Sequence, residues 1–200
     1  MALFKAIVSL LANPCRKRFC GVWLVMFALT FSGVLDLPAQ SAPITEYQVK
    51  AVFLFNFAQF VEWPTNAFPE SQTPLVIGVL GQDPFGAYLE ETVRGERVNN
   101  RPLTVQHYRR VEEIKTCHVL FISRSEADRL EQILGSLKYR KILTVADIEG
   151  AARSGVMIRL VTEKNRIRLR VNLEAAKAAD LTISSKLLRQ AEIADARREQ

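Results

Sequence analysis

Histidine and cysteine are scarce in this chain, two and three among 200 residues. The histidines, His107 and His118, fall in no HxH or HExxH pattern, and there is no CxxC, so a zinc-type site has almost no ligands to draw on. Cys117 and His118 are neighbours; on a strand they point to opposite faces and cannot share an ion. Glycine is also sparse. No GxxxxGK[ST] loop occurs and no GxGxxG follows a strand; "GVLGQDPFG" spaces Gly78, Gly81 and Gly86 differently and reads as a tight strand-to-helix turn. A GxSxG elbow is absent too. Ser185 beside Lys186 in "ISSK" reads as helix capping by Ser184 or Ser185, not as a nucleophile and its base. The sequence thus supports neither an enzyme nor a cofactor or metal site.

Long hydrophobic runs are missing with one exception, near the amino terminus. "MALFKAIVSLLANPCRKRFC" carries Lys5, Arg16, Lys17 and Arg18, and "GVWLVMFALTFSGVL" follows without a charge before Asp36. The apolar run falls short of the about 20 residues of a membrane span. Basic, then apolar, then the small residues of "PAQSA" is the order of a secretory signal peptide, so residues 1–41 are expected to be removed after export. Cleavage after Ala39 fits nearly as well as after Ser41, and an uncleaved anchor is the competing reading.

Removing residues 1–41 takes away four of 27 basic and one of 21 acidic residues, which leaves 23 against 20, a balance of +3. The high isoelectric point is therefore partly a targeting signal and gives no reason to expect a nucleic-acid partner. Cys15 and Cys20 leave with the leader. Cys117 then has no internal disulfide partner in an oxidising compartment, and its place at the threshold of the apolar "HVLFI" predicts a buried, inert thiol.

The remainder, 42–200, shows no repeat, low-complexity tract or linker and reads as one domain. Thr45 and Gln48 stand at capping-box spacing, with Ile44 and Val49 as a hydrophobic staple, and predict a helix from Glu46 that ends by Trp63, before Pro64. "PLVIGVL", "RPLTVQHY", "HVLFI" and "KILTV" read as strands, the first as one buried on both faces. Asp83 as cap with Pro84 at the first helical position predicts a helix to Arg94, stopped by Gly95. Ser123 and Glu126 at capping-box spacing predict another, through about Lys138. This alternation implies an α/β fold with a largely parallel sheet flanked by helices. "VMIRLV" and "RIRLRVN", joined by "TEKN", predict an antiparallel hairpin at the edge of the sheet. Arg166, Arg168 and Arg170 share one face of its second strand, either a docking ladder for an acidic partner or a solvated face that blunts edge pairing. Asn172 is expected to cap "LEAAKAA", and "SKLLRQAEIA" to close the chain as a helix.

In open α/β sheets ligands bind beyond the carboxyl ends of the strands. Those ends carry Gly81 and Asp83, then Ser123, Arg124 and Ser125, then Asp147, a candidate ligand crevice in which Arg124 assists an anion. A second candidate is the run "VKAVFLFNFAQFVEWP", apolar nearly all round where a surface helix needs a single stripe. Val49, Phe53, Phe57 and Phe60 are expected to face the sheet. Phe55 and Trp63 are assigned to a dimer or partner surface, since large aromatics anchor interfaces; a helix wholly enclosed by its own domain is the alternative.

From about Tyr47 to Ala194 the chain resembles the YfiR family of exported bacterial proteins. The resemblance rests on "YQVKAVFLFNFAQFVEWP", "PLVIGVLGQDPFG", "VNNRPLTV", "CHVLFISRSE", "ILTVADIEG", and "GVMIRLV" with "RIRLRVNLEAAKAADLTISSKLLRQA", in that order and spacing. Arg159 and Leu160 depart from the asparagine and aromatic residue usual in the family after "MI". The resemblance implies a Rossmann-like, commonly dimeric periplasmic protein. It further implies one that binds the periplasmic sensing domain of an inner-membrane diguanylate cyclase and holds it inactive, keeping cyclic di-GMP and biofilm formation low. An outer-membrane lipoprotein can sequester such a repressor. A periplasmic small-molecule binding protein using the strand-end crevice is the alternative function.

Overall fold

The computed structural model describes residues 45–70 and 72–194, so the leader, the staple residue Ile44 and the last six residues lie outside the described part. Helix α1 (Glu46–Phe60) starts as its capping box requires: the Thr45 amide donates to Gln48 Oε1 at 2.6 Å and the Gln48 amide to Thr45 Oγ1 at 3.4 Å. It ends sooner than Trp63. Val61–Glu62 leave the helix as β1 and pair antiparallel with β9 (Thr182–Ile183), while the Ser184 amide donates to the Phe60 carbonyl at 2.9 Å. A ladder with a distant segment satisfies the last backbone groups better than a further half-turn against Pro64.

The main sheet comprises β2 (Leu75–Leu80), β3 (Arg97–Val98), β4 (Arg101–Tyr108), β5 (Val119–Ile122), β6 (Leu143–Ala146), β7 (Ile158–Glu163), β8 (Arg166–Val171) and β10 (Ala191–Ile193), in the order β10-β8-β7-β6-β5-β2-β4-β3. From β7 through to β4 the neighbours run parallel; β7–β8 and β3–β4 are antiparallel hairpins. Every residue of β2, β5 and β6 is buried, and for β2 this is the double-sided burial that its apolar run predicts. The architecture is α/β and Rossmann-like. On one face α1 and α2 (Ala87–Val93) pack over Ile77, Val79, Phe121 and Val145; on the other, α3 (Leu130–Ser136) and the 148–156 segment pack over Leu80, Leu120, Ile122 and Ala146. Gly78, central in β2, leaves no room for a Cβ, which would stand 2.8 Å from both Cys117 Sγ and the Tyr108 ring.

Three helices differ from the sequence expectation. α2 begins at Ala87, not after Asp83, because Asp83 Oδ1 accepts from the Phe85 amide at 2.8 Å and Gly86 takes φ +57°, which spends Asp83 and Pro84 on a turn. After β5, Ser123 makes no side-chain cap; Arg124–Arg129 is a 3₁₀ turn and the α-helix starts at Leu130. The buried Glu126 carboxylate bonds Arg129 at 2.5 Å, so it is not free to close a capping box. The closing helix α5 (Ser185–Leu188), capped by Ser184 as expected, stops early because Ala191–Ile193 add as β10 along the open side of β8. The hairpin is consequently one strand in from the edge. Its turn, Lys164 and Asn165, takes φ of +48° and +60°, the left-handed pair that a tight two-residue hairpin needs. α4 (Leu173–Ala178) is capped by Asn172 Oδ1, which accepts from the Ala175 amide at 2.9 Å.

The buried face of α1 is Lys50, Ala51, Leu54, Phe57 and Ala58. Phe57 is in the core as expected, whereas Val49, Phe53 and Phe60 are only half-buried: the helix is rotated so that Leu54 and the two alanines, small enough for close approach, sit against the sheet.

Candidate functional site

Fully buried charge is costly unless paired, and α1 carries one. Lys50 has no exposed surface, and its Nζ lies 2.5 Å from Asp147 Oδ2 and 2.5 Å from Glu46 Oε1, one helical turn back. Asp147 follows the last residue of β6 and is itself enclosed. The Tyr47 hydroxyl donates to the same Oδ2 at 3.0 Å, and Arg124 Nε stands 3.3 Å from it. Lys50 also sits over the Tyr47 ring, 4.5 Å from its centroid. Asp147 Oδ1, by contrast, is buried with no hydrogen-bond partner.

The environment is visible in the titration of the rim. The hydrogen bond from Lys50 holds the Glu46 carboxyl below the usual range, against an opposing effect of burial. Burial, followed by the Asp147 charge, pushes Tyr47 up to about 12. Glu46, Arg124 and Asp147 of this cluster line a cleft of about 610 Å³, with Glu149, Arg159 and Thr162 also among its lining. That volume is within the range of ligand pockets, about 300–1,000 Å³.

Of the crevice residues expected from the sequence, the structure brings Arg124 and Asp147 together here. Ser125 instead accepts from the Gln82 amide at 2.9 Å and closes the turn after β2, where Gly81, φ +90°, passes so near that a Cβ would meet Ser125 Oγ at 2.4 Å. Ser123 is buried, its amide bonded to the Leu80 carbonyl. Asp83 lies 3.3 Å from His107 and is not part of the cleft lining. Sequence reasoning missed Lys50, Tyr47 and Glu46; the available signal was a single lysine inside an apolar helix.

At the other end of α1, Phe55 is half-buried against the core, and Trp63 is half-buried with its ring edge-on to His118, centroids 6.3 Å apart. His118 stacks on Phe68 at 4.4 Å and accepts from the Val76 amide at Nδ1, 3.0 Å; burial lowers its pKa to about 4. Cys117 is buried, as expected, and burial pushes its thiol up to about 12. Arg166 and Arg168 are exposed on the hairpin, across from Glu163 and Val161. Among the described residues, no group of three histidine, cysteine or carboxylate side chains is placed to hold a metal, and no helix is long and apolar enough to cross a membrane.

No curated protein matches this chain. The model of the YfiR/HmsC-like family matches it over residues 47–192, from the tyrosine that bonds Asp147 to the last sheet strand, and the chain belongs to that family.

Proposed function

We propose that this protein is a periplasmic regulator that binds the periplasmic sensing domain of an inner-membrane diguanylate cyclase and holds it inactive, lowering cyclic di-GMP and biofilm formation. The observation that carries the reading is the family match across nearly all of the described fold. Residues 1–41 act as a cleaved leader, and 42–200 form the mature domain, which acts as a homodimer. An outer-membrane lipoprotein that sequesters it would relieve the repression.

The mechanism needs no chemistry on the partner. A protein that binds the inactive conformation better than the active one shifts the population by that difference; moving 1:99 to 99:1 takes about 10⁴-fold preference, ~5.5 kcal/mol. Phe55 and Trp63 supply the aromatic anchors, and Arg166 and Arg168 a basic flank for an acidic surface. The test is deletion of this gene in its own host, with cyclic di-GMP measured alongside pull-down of the cyclase's periplasmic domain. A rise in cyclic di-GMP with direct capture is expected; unchanged cyclic di-GMP and no capture would refute the reading.

A further inference from the structure

We propose that a second cleft, at the amino-terminal ends of β5 and β6, binds a phosphomonoester between Lys115, Arg140 and Lys141. It lies at the opposite end of these strands from Asp147, and it stands whether or not the protein represses a cyclase. Three segments line it, around about 280 Å³: 115–118 entering β5, 140–142 entering β6, and Asn66, Ala67 and Pro69 ahead of β2. β5 and β6 are parallel neighbours, so the segments that lead into them arrive side by side and bring together cations that the sequence keeps apart.

The sign of the charge sets this cleft apart. Among the described residues that line it there is no aspartate or glutamate, and none of the three cations is in an ion pair. Two of them are nevertheless held in place, by neutral acceptors. Arg140 Nη2 donates to the Lys115 carbonyl at 3.1 Å and Lys141 Nζ donates to Asn66 Oδ1, and both side chains belong to half-buried residues. A neutral oxygen fixes a cation without cancelling it, whereas the charge of Lys50 is met by Glu46 and Asp147. Buried neighbours feel the result: burial raises the pKa of Tyr108 and of Cys117, and the Arg140 charge opposes that rise. Like charges on one concave surface disfavour one another and together draw a counter-ion. A single carboxylate neutralises one charge of the three. A phosphomonoester brings about −1.5 to −2 and three acceptor oxygens, which suits one guanidinium fork and two ammonium groups.

The test is isothermal titration of the purified protein with inorganic phosphate, near neutral pH and at constant ionic strength. Saturable binding is expected. Lys115→Gln, Arg140→Gln and Lys141→Gln should each weaken it by about tenfold or more, the loss of one charge-assisted bond. Arg94→Gln, which removes an exposed cation outside the cleft, should leave it unchanged. Lys115 is exposed, so its variant keeps the test open even if Arg140→Gln or Lys141→Gln fails to fold. Flotation with phosphatidylcholine vesicles, with and without phosphatidic acid, separates the sources of the anion. Capture by the phosphatidic acid vesicles alone, lost in the same variants, assigns a lipid headgroup. Binding of free phosphate without capture assigns a soluble phosphomonoester. No saturable binding in either assay overturns the proposal. So does binding that survives all three substitutions, or that Arg94→Gln weakens equally, since the anion is then drawn by net charge and not by this cleft.

Discussion

The two ends of α1 bury titratable groups by opposite means. Near its start, Lys50 and Asp147 are buried as an ion pair, each the other's partner at 2.5 Å. Past its end, His118 is enclosed by Phe68 and Trp63 and is accommodated by losing its proton, its Nδ1 serving as an acceptor for the Val76 amide. A paired charge ties two elements together and is intolerant of losing either member. A neutralised imidazole ties nothing by charge, and fails only when the solution supplies a proton. The difference teaches where the molecule is stiff by electrostatics and where by packing.

The sharpest break of that contrast is Lys50→Met. It leaves the buried Asp147 with only Arg124 and the Tyr47 hydroxyl as partners, and is expected to cost roughly 3–5 kcal/mol of stability by denaturant titration. Lys50→Met combined with Asp147→Leu is expected to recover most of the loss, since well-packed apolar residues commonly replace a buried pair at little cost. A double variant as unstable as the single one would show that the hydrogen bonds to Tyr47 and Arg124, not the ion pair, hold this end together.

Next in size are the aromatic truncations. Phe57→Ala removes a fully buried ring and should cost roughly 3–5 kcal/mol of stability. Trp63→Ala and Phe55→Ala, both half-buried, should cost the folded monomer less and weaken dimerisation or capture of the cyclase domain by about 2 kcal/mol. Denaturant midpoints and sedimentation on the same variants separate the two effects. Midpoints that collapse together would mark the helix as simply enclosed.

What was legible in the sequence follows the same division. β2 and β5 are continuous apolar runs, and the Thr45, Asn172 and Ser184 caps are contacts within three residues, so local pattern carried them. The site did not announce itself that way. Lys50 and Asp147 are separated by 97 positions, and nothing near either names the other. The early end of α1 likewise depends on β9, and the shortened α5 on an open flank of β8; each is a long-range ladder overriding a local helical tendency. Arg124 and Asp147 were found together because strand-end geometry is a property of the fold class, while Asp83, Ser123 and Ser125 shared that geometry and were spent on turns and backbone bonds.

The His118 end is probed by acid. Its folded pKa, about 4, is below the ordinary 6.5, so the unfolded chain binds the extra proton first. The contribution is complete above pH 6.5 and is lost as pH falls from 6.5 towards 4, at most about 3 kcal/mol. His118→Asn, which keeps an acceptor for Val76 and cannot titrate, is expected to flatten that limb of the stability profile. An unchanged slope between pH 6.5 and 4 would place the acid sensitivity elsewhere.

The smallest expected effect belongs to the charged end. Tyr47→Phe removes a 3.0 Å hydrogen bond to Asp147 but leaves the Lys50 and Arg124 contacts, and should cost about 1–2 kcal/mol. The alkaline side gives a second readout. The folded pKa of Tyr47, about 12, exceeds the ordinary 10, so its contribution is complete below pH 10 and is lost as pH rises from 10 to 12. Tyr108, bonded to the Thr116 carbonyl at 2.8 Å, is raised to about 12 as well, by burial, and loses stability over the same window. Tyr47→Phe should therefore shallow the alkaline limb without abolishing it, and Tyr47→Phe with Tyr108→Phe should remove most of it. If Tyr47→Phe leaves both the midpoint and that limb unchanged, the hydroxyl is an idle contact, and the charged end is held by Lys50 and Arg124.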